Sequence, residues 1–254
     1  MKGVYKKQAI RDIVEPLKAL TSVFENNVHV VYENSPTSII ISVKGIGVRA
    51  VYELKASEII DEYDCPVKEV GIWEVKQFIS ILGKYLSDIY VDDVIIEPAR
   101  EKLTISCGNE HTEYYLSDLS LFTDSRNPTR TLNTQSLTEA CSFTLSGSEL
   151  KKISNNISVF DEQDIFTIKS NADKKVKIRL SCSKAVKNNL ESVIDSVKSA
   201  ESFSLNYNKS MIKGLMSCND EFNIKVFLGA KNIIEVSYKK ENYSMTFYLA
   251  PIEA

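Results

Sequence analysis

The sequence predicts an α+β protein in which one motif occurs twice, each copy a curved, mainly antiparallel sheet with two helices on one face. Three observations carry this reading. The order helix, strands, helix, strands occurs once in each half of the chain. A stretch rich in Ser, Thr, Asn and Asp separates the halves and reads as a linker. Two helices per half are too few to cover both faces of so many strands, so they gather on one side.

In the first half, Ile10, Ile13, Val14, Leu17 and Leu20 recur at helical spacing within 5–20. Extended segments follow at 28–32, 38–43 and 48–54. A second helical pattern opens near Trp73 and puts Val75, Phe78, Ile79 and Leu82 on one side. Strand patterns return at 93–96, 103–107 and 112–116. The second half repeats the order. Ser148 is the expected N-cap of a helix with Leu150, Ile153 and Ile157 inward. Extended stretches follow at 165–169, 176–181, 190–197 and 202–207, then a short helix with Met211, Ile212, Leu215 and Met216 apolar. Strands at 223–228, 233–238 and 244–249 complete the pattern. The expected divisions are 1–118 for the first domain, 119–140 for the linker and 141–254 for the second domain.

With 43% hydrophobic and 26% charged residues the composition is ordinarily globular, which excludes disordered and fibrous classes. The chain holds no apolar run of membrane-spanning length, and its basic N-terminus leads into no signal-peptide core. A cytoplasmic protein is expected. Cys65, Cys107, Cys141, Cys182 and Cys218 stand singly, without a CxxC pair, and read as buried thiols rather than a disulfide framework or zinc ribbon. Asn-x-Ser sequons at Asn156, Asn208 and Asn242 carry no weight in a chain that is not secreted.

The net charge of −3 alone discourages a nucleic-acid reading, because phosphates need cations. The distribution of charge points the other way. The helical segments 5–20, 73–86, 148–157 and 207–217 carry ten cations: Lys6, Lys7, Arg11, Lys18, Lys76, Lys84, Lys151, Lys152, Lys209 and Lys213. Against them stand four anions, Asp12, Glu15, Glu74 and Glu149, so the helices hold +6 and the remainder −9. On the first helix, with Lys7 at zero, Arg11 falls at about 40° and Lys18 at about 20°, whereas the apolar set falls between about 220° and 340°. An ordinary solvated face explains any one such helix. Four of them against an acidic remainder suit a positive sleeve around DNA, because long cationic side chains on phosphates read no sequence and permit sliding.

Several segments resemble the eukaryotic and archaeal sliding-clamp family of proliferating cell nuclear antigen. The ending Ser244-Met245-Thr246-Phe247-Tyr248-Leu249-Ala250-Pro251-Ile252-Glu253 is similar to that family's C-terminus. The segment from Arg11 to Leu20 is similar to its first helix, Ser146 to Ile153 to its third, and Phe203 to Lys213 to its last. The two-domain length also resembles the clamps of T-even-type bacteriophages. The resemblance implies a ring-forming homotrimer around double-stranded DNA, with DNA polymerase and a clamp-loader ATPase as partners and no cofactor or membrane. It implies Arg11, Lys18, Lys152 and Lys213 as channel cations; charge alone adds Lys7, Lys76, Lys84, Lys151 and Lys209. It implies a partner-peptide pocket of Tyr248, Leu249, Ala250, Pro251 and Ile252 with Tyr32, Pro36, Leu121 and Phe122. Edge strands near 112–116 and 175–181 are expected to pair across subunits. Pro16 is expected to kink the first helix.

Catalytic patterns fall away. Gly45-Ile46-Gly47-Val48-Arg49-Ala50 fits GxGxxA, but the following Val51-Tyr52-Glu53-Leu54 is strand-like, so no helix N-terminus awaits a pyrophosphate and a hairpin is the better reading. Asp92, Asp93 and Glu97 do not share one strand face, which disfavours a metal-dependent nuclease. His29 and His111 lie in strand-like segments without a nucleophile motif. No phosphate-binding GxxxxGK[ST] loop occurs. The expectation is a non-enzymatic DNA sliding clamp and processivity factor, with a monomeric factor that binds DNA by charge alone as the alternative.

Overall fold

The computed structural model describes residues 3–23, 29–34, 38–45, 48–55, 60–63, 69–87, 93–122, 137–159, 164–171, 175–181, 190–195, 198–199, 201–209, 212, 221–229, 232–239 and 243–252. The first half contains β1 (Gly3–Lys6), α1 (Lys7–Val23), β2 (His29–Asn34), β3 (Ser38–Gly45), β4 (Val48–Lys55), β5 (Ile60–Tyr63), β6 (Glu69–Ile72), α2 (Val75–Leu86), β7 (Asp93–Pro98), β8 (Lys102–Cys107) and β9 (Glu110–Tyr115). A 3-10 turn, Leu119–Phe122, lies at the head of the expected linker. The second half contains β10 (Thr138–Leu145), α3 (Gly147–Val159), β11 (Ile165–Asn171), β12 (Lys175–Ser181), β13 (Leu190–Asp195), β14 (Lys198–Ser199), β15 (Ser202–Asn208), β16 (Phe222–Leu228), β17 (Ile233–Lys239) and β18 (Tyr243–Leu249).

The strands form three antiparallel sheets, ordered β5-β1-β7-β8-β9, β13-β12-β11-β15 and β14-β10-β16-β17-β18-β4-β3-β2-β6. The duplication is visible in these orders. The run β5-β1-β7-β8-β9 matches β14-β10-β16-β17-β18, and β6-β2-β3-β4 matches β15-β11-β12-β13. A hydrogen bond repeats as well. The Ser117 amide donates to the Gly71 carbonyl at 3.0 Å, and the Ile252 amide donates to the Asn206 carbonyl at 2.8 Å. In each half the chain leaving the last strand thus closes onto the strand that precedes the second helix.

Alternation sets the inner face of each strand. Val94, Ile96, Leu103, Ile105 and Cys107 are buried in the first half; Phe222, Ile224, Val226, Met245, Phe247 and Leu249 are buried in the second. The β8–β9 hairpin turns through Gly108, whose φ of 59° is the left-handed conformation that glycine adopts without a Cβ clash. Helix α1 buries Ile10, Ile13, Val14 and Leu17, touches β1, β4 and β7, and packs beside α2. It runs unbroken across Pro16, although proline supplies no amide to the ladder. Helix α2 buries Val75, Phe78, Ile79, Leu82 and Tyr85. Phe78 meets the Tyr114 ring at 5.4 Å, and the Tyr85 hydroxyl donates to the Ile105 carbonyl at 3.2 Å.

Helix α3 is capped two residues earlier than expected. Ser146, not Ser148, caps it: the Ser146 amide donates to Glu149 Oε2 at 2.8 Å, and the Glu149 amide reaches Ser146 Oγ at 3.4 Å. This is a capping box, in which the glutamate three residues on selects the cap. The GxGxxA segment joins β3 to β4, whose pairing reaches Gly45↔Val48, so it leads into a strand and not into a helix. Cys107 and Cys141 are buried thiols outside any disulfide; Cys65, Cys182 and Cys218 lie outside the described residues, as does most of the expected helix at 207–217. No helix among the described residues is long and apolar enough to cross a membrane.

Tyr207 is fully buried, and its hydroxyl has no hydrogen-bond partner among the described residues. Tyr207→Phe is therefore expected to raise the unfolding free energy by about 1 kcal/mol and the thermal midpoint by a few degrees, read by calorimetry. Burial also pushes the phenol of Tyr207, and to a lesser extent those of Tyr114 and Tyr248, above the ordinary value of 10.0. Stability present below that pH is lost as pH rises through the raised values, because the unfolded chain releases these protons first. The Tyr207→Phe protein should accordingly resist alkaline unfolding better than the parent. Ser146→Ala should cost about 1 kcal/mol in a urea titration.

Candidate functional site

Two surfaces are built by this fold, one on the helices and one at the meeting of the two halves. On the helices, Arg11, Lys18, Lys76, Lys84, Lys151 and Lys152 are exposed, and Lys7 and Lys209 are half-buried. The inward stripes of the helices pack on the sheets, so the cationic positions are left facing away from the core. Lys84 differs from its fellows. Its ammonium sits 2.6 Å from Glu110 Oε2 on β9, and the hydrogen bond and charge of that carboxylate hold its pKa above the usual lysine range. It is therefore already partnered within the chain. Lys213 lies outside the described residues.

Other charges near the helices are engaged within the fold. Lys6 pairs with Asp93 at 2.9 Å, which gives one carboxylate of the nuclease-like pattern a structural partner. Asp92 lies outside the described residues, and Glu97 is half-buried on β7. Asp12, buried on α1, accepts from Gln8 Nε2 at 2.8 Å, so the anion on this basic helix is turned inward.

The second surface lies where β18 pairs with β4. Seven residue pairs run from Tyr243↔Leu54 to Leu249↔Val48 and join the two halves into one nine-stranded sheet. Tyr248 is half-buried on the outward face, between Glu235 of β17 and Arg49 of β4 in the register. Burial first, and the charge of Glu235 second, raise its pKa. Beyond β18, Ala250 is exposed, Pro251 half-buried and Ile252 40% exposed, although the Ile252 backbone is pinned to Asn206. Tyr248 and the tail 250–252 thus leave apolar side chains at least partly open to solvent at and beyond the end of β18.

Three expected pocket members do not join them. Leu249 is fully buried and lines the core between Phe166, Phe222 and Ile234, because alternation after Met245 and Phe247 turns it inward. Tyr32 lies on β2, separated from β18 by β4 and β3, roughly 14 Å away at the usual strand spacing. The 3-10 turn that carries Leu121 packs against β2 and β6, on the same distant edge. Leu121 is 60% exposed there; Pro36 and the Phe122 side chain lie outside what is described. The positions that the register does bring beside Tyr248 are Arg49 on β4 and Glu235 on β17, with Val48 opposite Leu249. Strand alternation and the repeated order of the two halves were the signals for them.

These features define a class: a duplicated, two-sheet repeat in which one continuous sheet crosses from the second half to the first. No family profile and no curated relative matches the sequence. Among solved structures the chain is similar to the Proliferating Cellular Nuclear Antigen of Entamoeba histolytica, with a TM-score of 0.69, 16% identity, and coverage of 99% of this chain and 98% of that one. It is also similar to the PCNA of A. fulgidus with the C-terminal region of FEN-1 bound, with a TM-score of 0.69, 10% identity, and coverage of 100% and 99%. The fold is that of the PCNA-like sliding clamps.

The pairing of Lys84 with Glu110 is directly testable. Glu110→Gln should lower the Lys84 titration midpoint, followed by NMR of the lysine Cε, since that hydrogen bond is the main cause of its elevation. An unchanged midpoint would refute the pairing.

Proposed function

We propose that the protein is a DNA sliding clamp and polymerase processivity factor: a homotrimeric, non-enzymatic ring of two clamp domains per chain, 1–118 and 141–254, joined by 119–140. The observation that carries this is the junction β18–β4. By the internal repeat, β18 corresponds to β9 and β4 to β13. The first pair is joined within the chain, whereas β9 is bonded only to β8 and β13 only to β12 among the described residues. A second copy pairing its β13 with β9 would extend the five-stranded sheet by four strands, giving nine as in the sheet that crosses the halves. Such a head-to-tail contact closes into a ring when the rotation allows.

The outer partner strand is β13, not the expected 175–181. That segment, β12, is flanked on both sides by β11 and β13 and has no free edge. Tyr115 at the end of β9 is 73% exposed and Val193 on β13 is 54% exposed, apolar surface suited to burial at such a junction. Carrying the register of β18–β4 through the repeat places Glu110 opposite Ser192 and His111 opposite Glu191. Inside the ring, Arg11, Lys18, Lys76, Lys151 and Lys152 would approach phosphates without reading bases. Outside it, the tail site would hold apolar segments of DNA polymerase and of the clamp-loader ATPase.

Native mass measurement should give three times 28.6 kDa, and cysteines substituted at 110 and 192 should cross-link into trimers and no larger species. A monomer at micromolar concentration would favour a factor that binds DNA by charge alone. Arg11→Glu, Lys18→Glu and Lys152→Glu together should slow loading onto DNA and lower the salt slope of binding by about one per lost phosphate contact. An unaltered slope would remove these residues from the DNA surface. Ile252→Ala with Tyr248→Ala should abolish polymerase stimulation while the trimer persists.

A further inference from the structure

We propose that the outward face of β11 and β12 docks an acidic, extended segment of a partner protein. Burial alternates along β12, with Val176, Ile178 and Leu180 in the core, so Lys175, Lys177 and Arg179 share the opposite face. Lys169 of β11 joins them, because it stands directly across from Lys177 in the register. Ile168 and Ile178 turn the other way, into the apolar interior that Leu150 of α3 also lines, so these cations lie on the side of the sheet away from that helix. The fold itself does not call for them. Through the repeat, their counterparts in the first half are Glu33, Ser38, Ile40 and Ser42.

The neighbouring anions stand on one flank. On β13 the register sets Glu191 across from Arg179 and Asp195 across from Lys175, and the Glu191 carboxylate lies 3.0 Å from the Lys177 ammonium. Lys169 is placed differently: its neighbours across the strands are Lys177 on β12 and Ser204 on β15. Like charges directly opposite on adjacent strands repel, and an anion arriving between them replaces that repulsion with attraction to both. Lys169 and Arg179 have no ion pair among the described residues. The spacing says which anion. Successive outward side chains of β12 stand about 7 Å apart, and an extended peptide repeats its alternate side chains at the same interval. Carboxylates at every second residue of such a segment therefore meet Lys175, Lys177 and Arg179 in step, with Lys169 beside the middle one. Nucleic acid fits less well. The outward residues of β11, β12 and β15 include no aromatic ring on which a single strand could stack its bases. A duplex is too broad to lie there without setting phosphates against Glu191, since β13 is only one strand spacing, about 4.8 Å, beyond β12.

Fluorescence anisotropy of the full-length chain with short labelled peptides tests this. One peptide alternates Glu and Ser; its control alternates Gln and Ser. The parent protein should bind the Glu peptide about tenfold more tightly, the worth of about three exposed ion pairs. Lys169→Gln with Arg179→Gln should lower that affinity about fivefold. The charge-matched pair Arg100→Gln with Lys239→Gln should leave it within about twofold. The first pair should fold normally, because neither side chain holds an ion pair among the described residues and the first half has Glu33 and Ser42 at the corresponding positions. Equal affinity of the parent for the two peptides would overturn the proposal. So would an equal loss in the two double variants, which would mark attraction to net charge alone. Labelled single-stranded and duplex oligonucleotides give the last arm: the Lys169 and Arg179 variant should bind them as the parent does. A loss for either oligonucleotide as large as for the Glu peptide would assign the surface to nucleic acid and overturn the acidic-segment reading.

Discussion

The hydrogen-bonded register between β18 and β4 governs most of what this chain can do. Through it, residues far apart in the sequence become neighbours, and two sheet fragments become a single nine-stranded sheet. A backbone junction of this kind has no residue code of its own. It is held in place because one face is apolar: Met245, Phe247 and Leu249 on β18 cannot shift by one residue without turning into water. The same junction also fixes the outward site, since Tyr248 and the tail 250–252 hang from its end. Cutting the chain back to 248 would remove buried Leu249 as well as the site, so point substitutions are the cleaner probe.

Duplication turns that junction into a template. One copy of the interface is satisfied inside the chain, and the corresponding strands β9 and β13 are left with open edges among the described residues. Two other edge strands each accept one hydrogen bond from the chain beyond the last strand of their half, β6 from Ser117 and β15 from Ile252. Long uncovered edges are a hazard that proteins normally suppress. Among the edges that stay open, β9 and β13 correspond by the repeat to strands that pair within the chain.

Much of the fold was legible locally. The inward stripes of α1 and α2 followed from 3.6-residue periodicity, and the strands of the second half from alternation, because both patterns reflect which side of a local backbone meets the core. The α3 cap was legible too: Ser146 and Ser148 both qualify as caps, but only Ser146 has a glutamate three residues on. Leu249 could have been excluded from the outward site by counting from Met245. Tyr32 could not. Its distance from Tyr248 depends on β4 and β3 being interposed, which no periodicity encodes. Lys84 likewise looked equivalent to the other helix cations until the β8–β9 hairpin brought Glu110 to it.

The sequence by itself determined the repeat, the amphipathic faces of the helices, the sorting of positive charge onto them, and the absence of a phosphate-binding turn at Gly45. Those properties are written in windows of a few residues, where backbone geometry and side-chain polarity act directly. Tertiary structure alone decided which strands are neighbours, which edges stay open, and that Glu235 rather than Tyr32 lies beside Tyr248. The physical reason is that strand pairing joins amides and carbonyls common to every residue, so the choice among partners is made by the packing of the whole core.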